Sequence, residues 1–214
     1  MSKKIAALAA SVAMIGVPVI GFSQVPSFGS LSAKLSGGGG DLTGQQTGLV
    51  NSYVAGGKDV LSSQSKLLLA LGLKDQAATA QATADSLGSG STKDGISKSD
   101  EVQSENSTAI SDALKNHTAD LDAQSKQTYS QGLLLLASGL VKYTGMKQSV
   151  AGFSKGLASP AGLQAASNLQ AGAYIVKTLP SSISNTASTL NSAVSFAKSH
   201  GIEVPPDATA ALLK

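Results

Sequence analysis

The chain of 214 residues contains no Cys, no Trp and no Arg; its 16 basic residues are all Lys, set against 13 acids and 2 His. Disulfides, thiolate metal centres, a cysteine nucleophile and bidentate arginine clamps are excluded, and two His cannot furnish a three-histidine metal site. Hydrophobic residues make up 42% but aromatics only 4%, so a core must be built from Leu, Val and Ala at close spacing.

Lys3 and Lys4 precede an apolar run over residues 5–20 that is interrupted only by Ser11, Gly16 and Pro18. At about 16 residues it is shorter than the roughly 20 that cross a bilayer as a helix. Small residues at Gly21 and Ser23 complete the pattern of a secretory signal peptide over residues 1–23, cut after Ser23. The expected location is periplasmic or secreted. No second long apolar run follows, so no transmembrane segment is expected after cleavage. Without Lys3 and Lys4 the chain carries 14 Lys against 13 acids. It has neither the basic stripe nor the aromatic platforms of a nucleic-acid binder. Residues 24–40 are rich in Ser and Gly and end in four consecutive Gly, the composition of a flexible arm. Residues 41–214 are expected to form a single helical bundle domain.

Asp41 reads as an N-cap. Leu49/Val50, Tyr53/Val54, Val60/Leu61, Leu67/Leu68, Leu71 and Ala78 then recur at helical spacing. The pattern predicts one helix over residues 41–87, ~70 Å long at 1.5 Å per residue, with bends near Gly44, Gly48 and Gly56-Gly57. Ser97 with Asp100 resembles a capping box, and Asp100, Glu101 and Glu105 then fall in the first turns, where carboxylates favour the helix dipole. Ile110, Ala113/Leu114, His117, Leu121, Leu133, Leu136, Leu140, Tyr143, Met146 and Val150 predict a second long helix over residues 98–156. Ser159-Pro160 restarts a third, which Pro180 is expected to end. Ile183, Ala187, Leu190, Val194 and Ala197 make the seam of a fourth, stopped at His200-Gly201. Val204-Pro-Pro-Asp207 precedes a short C-terminal helix. No convincing alternating strand occurs. The fold class is all-α: an elongated antiparallel helical bundle of about four main helices, two long and two shorter, with a short C-terminal helix.

Chemistry-bearing constellations are sparse. Gly152-Phe-Ser154-Lys-Gly156 matches the Gly-x-Ser-x-Gly of serine hydrolases, but that motif needs a strand-to-helix turn and none is expected here. A Gly-x-x-x-Gly face for close helix approach is the better reading of Gly152 and Gly156. His117 and Asp120 share a helix face, yet the paired Glu-x-x-His sets of di-iron bundles are absent. His117 sits on the apolar stripe, where a buried or half-buried His with one hydrogen-bond partner is the expectation and a pH-sensing or single-ligand metal role the alternative. Asp112, Asp120 and Asp122 lack the spacing of a calcium loop. No catalytic residue, metal ligand or cofactor site is assigned, and the chain is read as non-enzymatic.

These features predict an exported structural or interaction protein of the cell envelope. It would dock on itself or on another envelope protein through Ala/Gly/Leu helix seams. The alternative is a carrier of a hydrophobic small molecule held between the Leu-rich helices. Leu67, Leu71, Leu133, Leu136, Leu140, Gly152 and Gly156 are the candidate seam or ligand-lining residues, and Tyr53, Tyr129, Tyr143 and Tyr174 supply polar tips to either arrangement.

Overall fold

The computed structural model describes residues 41–116 and 120–213. The expected signal peptide, the arm over residues 24–40 and His117 lie outside the described residues. The described chain is helical, with no strand, as the all-α reading expects. Helix α1 spans Leu42–Ala70, α2 Lys74–Ser86, α3 Lys93–Asn116, α4 Ala123–Gly145, α5 Lys147–Leu157 and α6 Pro160–Gln164. A 3-10 turn at Ala166–Asn168 leads into α7, Gln170–Ser199, and α8 closes the described chain at Pro206–Ala211.

The helix over residues 41–87 is not continuous. It starts as expected, with the Asp41 carboxylate accepting the Gly44 N–H at 2.8 Å. It stops after Ala70 because Gly72 enters the left-handed region at φ 85°. There Leu73 N donates to Leu68 O at 2.8 Å and Gly72 N to Leu69 O at 3.1 Å. This pair of bonds is the Schellman closure that satisfies the last carbonyls of a helix. The chain then reverses, and α2 packs back on α1, so the 29 residues of α1 reach only ~44 Å. The glycines expected to bend α1 lie within it instead. Gly56 and Gly57 are buried, where they admit the ring of Tyr143.

The second long helix is likewise divided. Helix α3 begins at Lys93, with Thr92 Oγ1 accepting the Gly95 N–H at 3.3 Å. Asp122 opens α4 by accepting Ser125 N at 2.6 Å. Met146 separates α4 from α5. Ser159 caps α6 as expected, accepting Gly162 N at 3.2 Å, but that helix has only 5 residues. Pro180 does not end a helix either: α7 runs through it for 30 residues. Proline lacks an N–H and disfavours a helix interior by about 3 kcal/mol. Here Ile175 and Leu179 before it, and Leu190 and Ala193 after it, are buried in one core, and that shared burial holds both halves in line. At the N-terminus of α7 no residue caps locally. Gln46 of α1 does it from across the bundle, accepting Gly172 N at 3.0 Å and donating to Asn168 O at 2.9 Å. The stop at His200-Gly201 follows expectation: Gly201 takes φ 61° and Ile202 N donates to Ala197 O at 2.9 Å.

Successive main helices alternate in direction. The most extensive packing is between α1 and α4, which run antiparallel: Gly56 meets Tyr143, Val60 meets Gly139 and Leu67 meets Gly132. The fit is close. A Cβ on Gly139 would lie 2.6 Å from Val60 Cγ2 and 3.1 Å from the Gly56 carbonyl oxygen. Helices α3 and α7 lie side by side in parallel, because Asp100 pairs with Tyr174 near their starts and residues 104–115 face residues 185–192 further along. The groove between them holds the most polar part of the interior.

Candidate functional site

Helix α3 presents two kinds of residue to the bundle. Ile96 and Ile110 are buried at either end of its inner face, and between them Ser99, Gln103 and Asn106 are buried polar residues. Burying amide and hydroxyl groups is costly unless each finds a partner, and here α1, α4 and α3 itself supply them. Gln64 Nε2 donates to Gln103 O at 2.8 Å and to Ser107 Oγ at 3.0 Å, and Gln64 Oε1 accepts from Asn106 Nδ2 at 3.3 Å. Tyr143 of α4 reaches through the gap left by Gly56 and Gly57, and its hydroxyl donates to Gln103 Oε1 at 3.2 Å.

Asp100 completes this network, in a place the capping-box reading did not assign. Since α3 starts a turn earlier, at Lys93, Ser97 and Asp100 are interior helix positions and Asp100 faces inward. Its Oδ2 accepts from the Tyr53 hydroxyl at 2.8 Å and the Tyr174 hydroxyl at 3.0 Å. Tyr53 Oη also lies 2.7 Å from Ser182 Oγ. One carboxylate therefore ties α3 to both α1 and α7. Burial pushes the Asp100 carboxyl up to about 6, against the opposing pull of the Tyr53 and Tyr174 hydrogen bonds. Burial, and then the Asp100 charge, raises the Tyr53 hydroxyl well above the ordinary phenol range, so it remains a proton donor at any physiological pH. Burial also raises Tyr174 and Tyr143.

The network opens to the outside. A cleft of about 140 Å³ lies between α3 and α7, with Asp100, Gln103, Tyr174, Ser182, Asn185 and Thr186 among its walls. A second cleft of about 270 Å³ continues along the same two helices, and its walls include Ile110, Ser111, Leu114 and Ser188. The two share Ser104, Ser107 and Asn185, so they are consecutive stretches of one groove. Hydroxyl and amide side chains dominate it. Thr186 is 4% exposed and lines the first, upper cleft, and its hydroxyl has no hydrogen-bond partner among the described residues.

The residues singled out from sequence are placed differently. Leu67, Leu133, Leu136 and Leu140 are buried among the other core residues, and Leu71 sits at the C-cap of α1 on the core's margin. They line no described cleft: the Leu-rich seams are closed by the chain's own helices. Of the Gly-x-x-x-Gly pair, only Gly156 makes a close approach, against Leu42 of α1; around Gly152 there is open space. The residue that α5 buries is Phe153, between them. Ser154 lies within helix α5 rather than on a strand-to-helix turn. His200 reaches Ser199 Oγ at 3.1 Å, but its Nδ1 also lies 3.0 Å from the Phe196 carbonyl, and both contacts close the end of α7. Among the described residues no group of three or more His, Asp or Glu is placed to hold a metal ion, and no helix is long and apolar enough to cross a membrane. No family model, no curated protein and no solved structure matches this chain.

Proposed function

We propose that the protein is a non-enzymatic binding protein whose working surface is the polar groove between α3 and α7. The observation that carries this is the partly buried Asp100–Tyr53–Tyr174 cluster opening into a cleft walled by hydroxyls and amides. Polar groups converging on a concave site are what fix a small ligand's orientation. The network behind the α3 wall, Gln64, Gln103, Asn106 and Tyr143, is built from three different helices, which supports a pre-organised wall on that side. The apolar seams that would serve docking or an apolar cargo are occupied internally, with Leu67, Leu133 and Leu136 each fully buried. Among the described residues the large exposed apolar side chains are Leu69, Val141, Leu163 and Leu213, on four different elements or ends. This supports the groove as the surface that meets a partner molecule. The apolar run over residues 5–20 and the small residues before Gln24 support an exported protein that does this work in the periplasm or outside the cell.

The test is amide shift mapping on the isotope-labelled full chain with glycerol, acetamide and n-butylammonium as polar probes. At least one probe should shift amides at Ser104, Ser107 and residues 181–186. Asn185→Trp, at an exposed position shared by both clefts, should abolish those shifts while the melting curve stays cooperative. Shifts that fall elsewhere, that survive Asn185→Trp, or that are absent for all three probes would contradict the assignment.

A further inference from the structure

The charge inside the upper cleft narrows the chemistry of what it takes. Asp100 is the only Asp, Glu, Lys or His among the residues lining that cleft. Among the described residues it has no counter-ion. The ion pairs among the described residues join Lys93 to Asp94, Lys115 to Asp112 and Lys142 to Asp59, and none includes Asp100. The groups that face it from the packed helices are Tyr53 of α1, Tyr174 of α7 and, behind Tyr53, Tyr143 of α4. All three are neutral donors. A carboxylate offers about four acceptor positions. Two are filled at Oδ2 by tyrosine hydroxyls, whereas Oδ1 has only a long contact of 3.4 Å from Gln103 Nε2. Thr186, whose buried hydroxyl has no partner among the described residues, lines the same cleft with Ser181 and Asn185.

A largely buried charge is stable when paired and costly when alone. An anion would meet like charge here, and a neutral polyol would leave the carboxylate uncompensated. A divalent metal needs more oxygen ligands of full or partial charge than one carboxylate and scattered hydroxyls provide. A primary ammonium fits: it brings the missing positive charge and three N–H donors. We propose that the upper cleft binds a small organic cation, its ammonium group paired with Asp100 and hydrogen-bonded by the neighbouring hydroxyl and amide side chains. The cation's carbon chain runs into the lower cleft, where Ile110 and Leu114 supply the apolar wall. This assignment rests on the groove being the binding site.

The test compares isosteres on the full chain: n-butylammonium chloride, n-butanol and sodium butyrate, at constant ionic strength and about pH 8, followed by groove amide shifts. The ammonium should bind saturably and at least about tenfold more tightly than the alcohol or the carboxylate. At about pH 5 its affinity should fall about tenfold, because Asp100 is then mostly protonated. Asp100→Asn should lose about tenfold or more in affinity. Thr186→Val, a change of one hydroxyl for a methyl, should lose several-fold and serves if the first variant does not fold. If n-butanol matches the ammonium, or if Asp100→Asn keeps its affinity, the cation is wrong and the groove assignment stands. If none of the three compounds shifts a groove amide, the cation is wrong, and the groove assignment falls with it only if glycerol and acetamide also leave those amides unmoved.

Discussion

Replacing Asp100 by Asn isolates the energetic consequence of burying an unpaired carboxylate. The folded state holds this carboxyl at about 6, against 3.8 for an ordinary aspartate. Between those values the folded chain keeps a proton that the unfolded chain releases, so stability falls as pH rises through the window. At about 1.36 kcal/mol per pH unit the loss amounts to about 3 kcal/mol by pH 7. Below about pH 3.8 both states are protonated and this contribution is fully present. Asparagine has nearly the same shape and does not titrate, and its carbonyl can still accept from Tyr53 and Tyr174. The remaining carboxylates titrate in both proteins and cancel in the difference. Urea melts at intervals from about pH 4 to about pH 8, with the slope checked for two-state behaviour, should show the variant gaining on the parent by up to about 3 kcal/mol as pH rises. A difference that stays constant within about 0.5 kcal/mol, the usual scale of surface substitutions, would refute the claim that Asp100 is buried without a counter-charge.

Tyr53→Phe removes a hydroxyl that donates to Asp100, so it should raise the Asp100 midpoint further and lower stability at neutral pH by about 1–3 kcal/mol, read by carboxyl NMR and urea melts. Leu67→Ala and Leu136→Ala each empty a fully buried site and should cost about 2–5 kcal/mol; a loss below about 0.5 kcal/mol would place them on a surface. Gly139→Ala forces a methyl against Val60 and the Gly56 backbone of α1, and should cost about 1–3 kcal/mol in the same melts.

The fold class and much of the helix punctuation were legible in the sequence. Asp41 and Ser159 cap as their chemistry dictates, and Gly201 ends α7. The same signal at Gly72 is masked in the sequence, since Leu71-Gly72-Leu73 continues the apolar stripe while its closing bonds, Leu73 N to Leu68 O above all, depend on backbone geometry. Pro180 misled in the opposite sense: tertiary burial on both sides of it outweighs its local penalty. The groove was hidden by a shift of one turn. A helix start at Ser97 gives Asp100 a capping role in the first turn, whereas the start at Lys93 leaves it an interior helix position whose carboxylate pairs with Tyr53 and Tyr174 instead. A visible trace existed in the polar stripe Ser99, Gln103, Asn106 between Ile96 and Ile110, which a wholly solvated face would not interrupt with isoleucines. What no stripe on α3 can reveal is the origin of the partners, because Tyr53, Gln64, Tyr143 and Tyr174 arrive from three other helices.

The most direct measurement is a pH titration of the Asp100 carboxyl carbon by NMR, in the full chain, with and without n-butylammonium. The unliganded protein should titrate with a midpoint near 6, and the cation should draw that midpoint down, since it binds the ionised form in preference. A midpoint in the ordinary aspartate range, or one that saturating n-butylammonium leaves unmoved, would contradict the account.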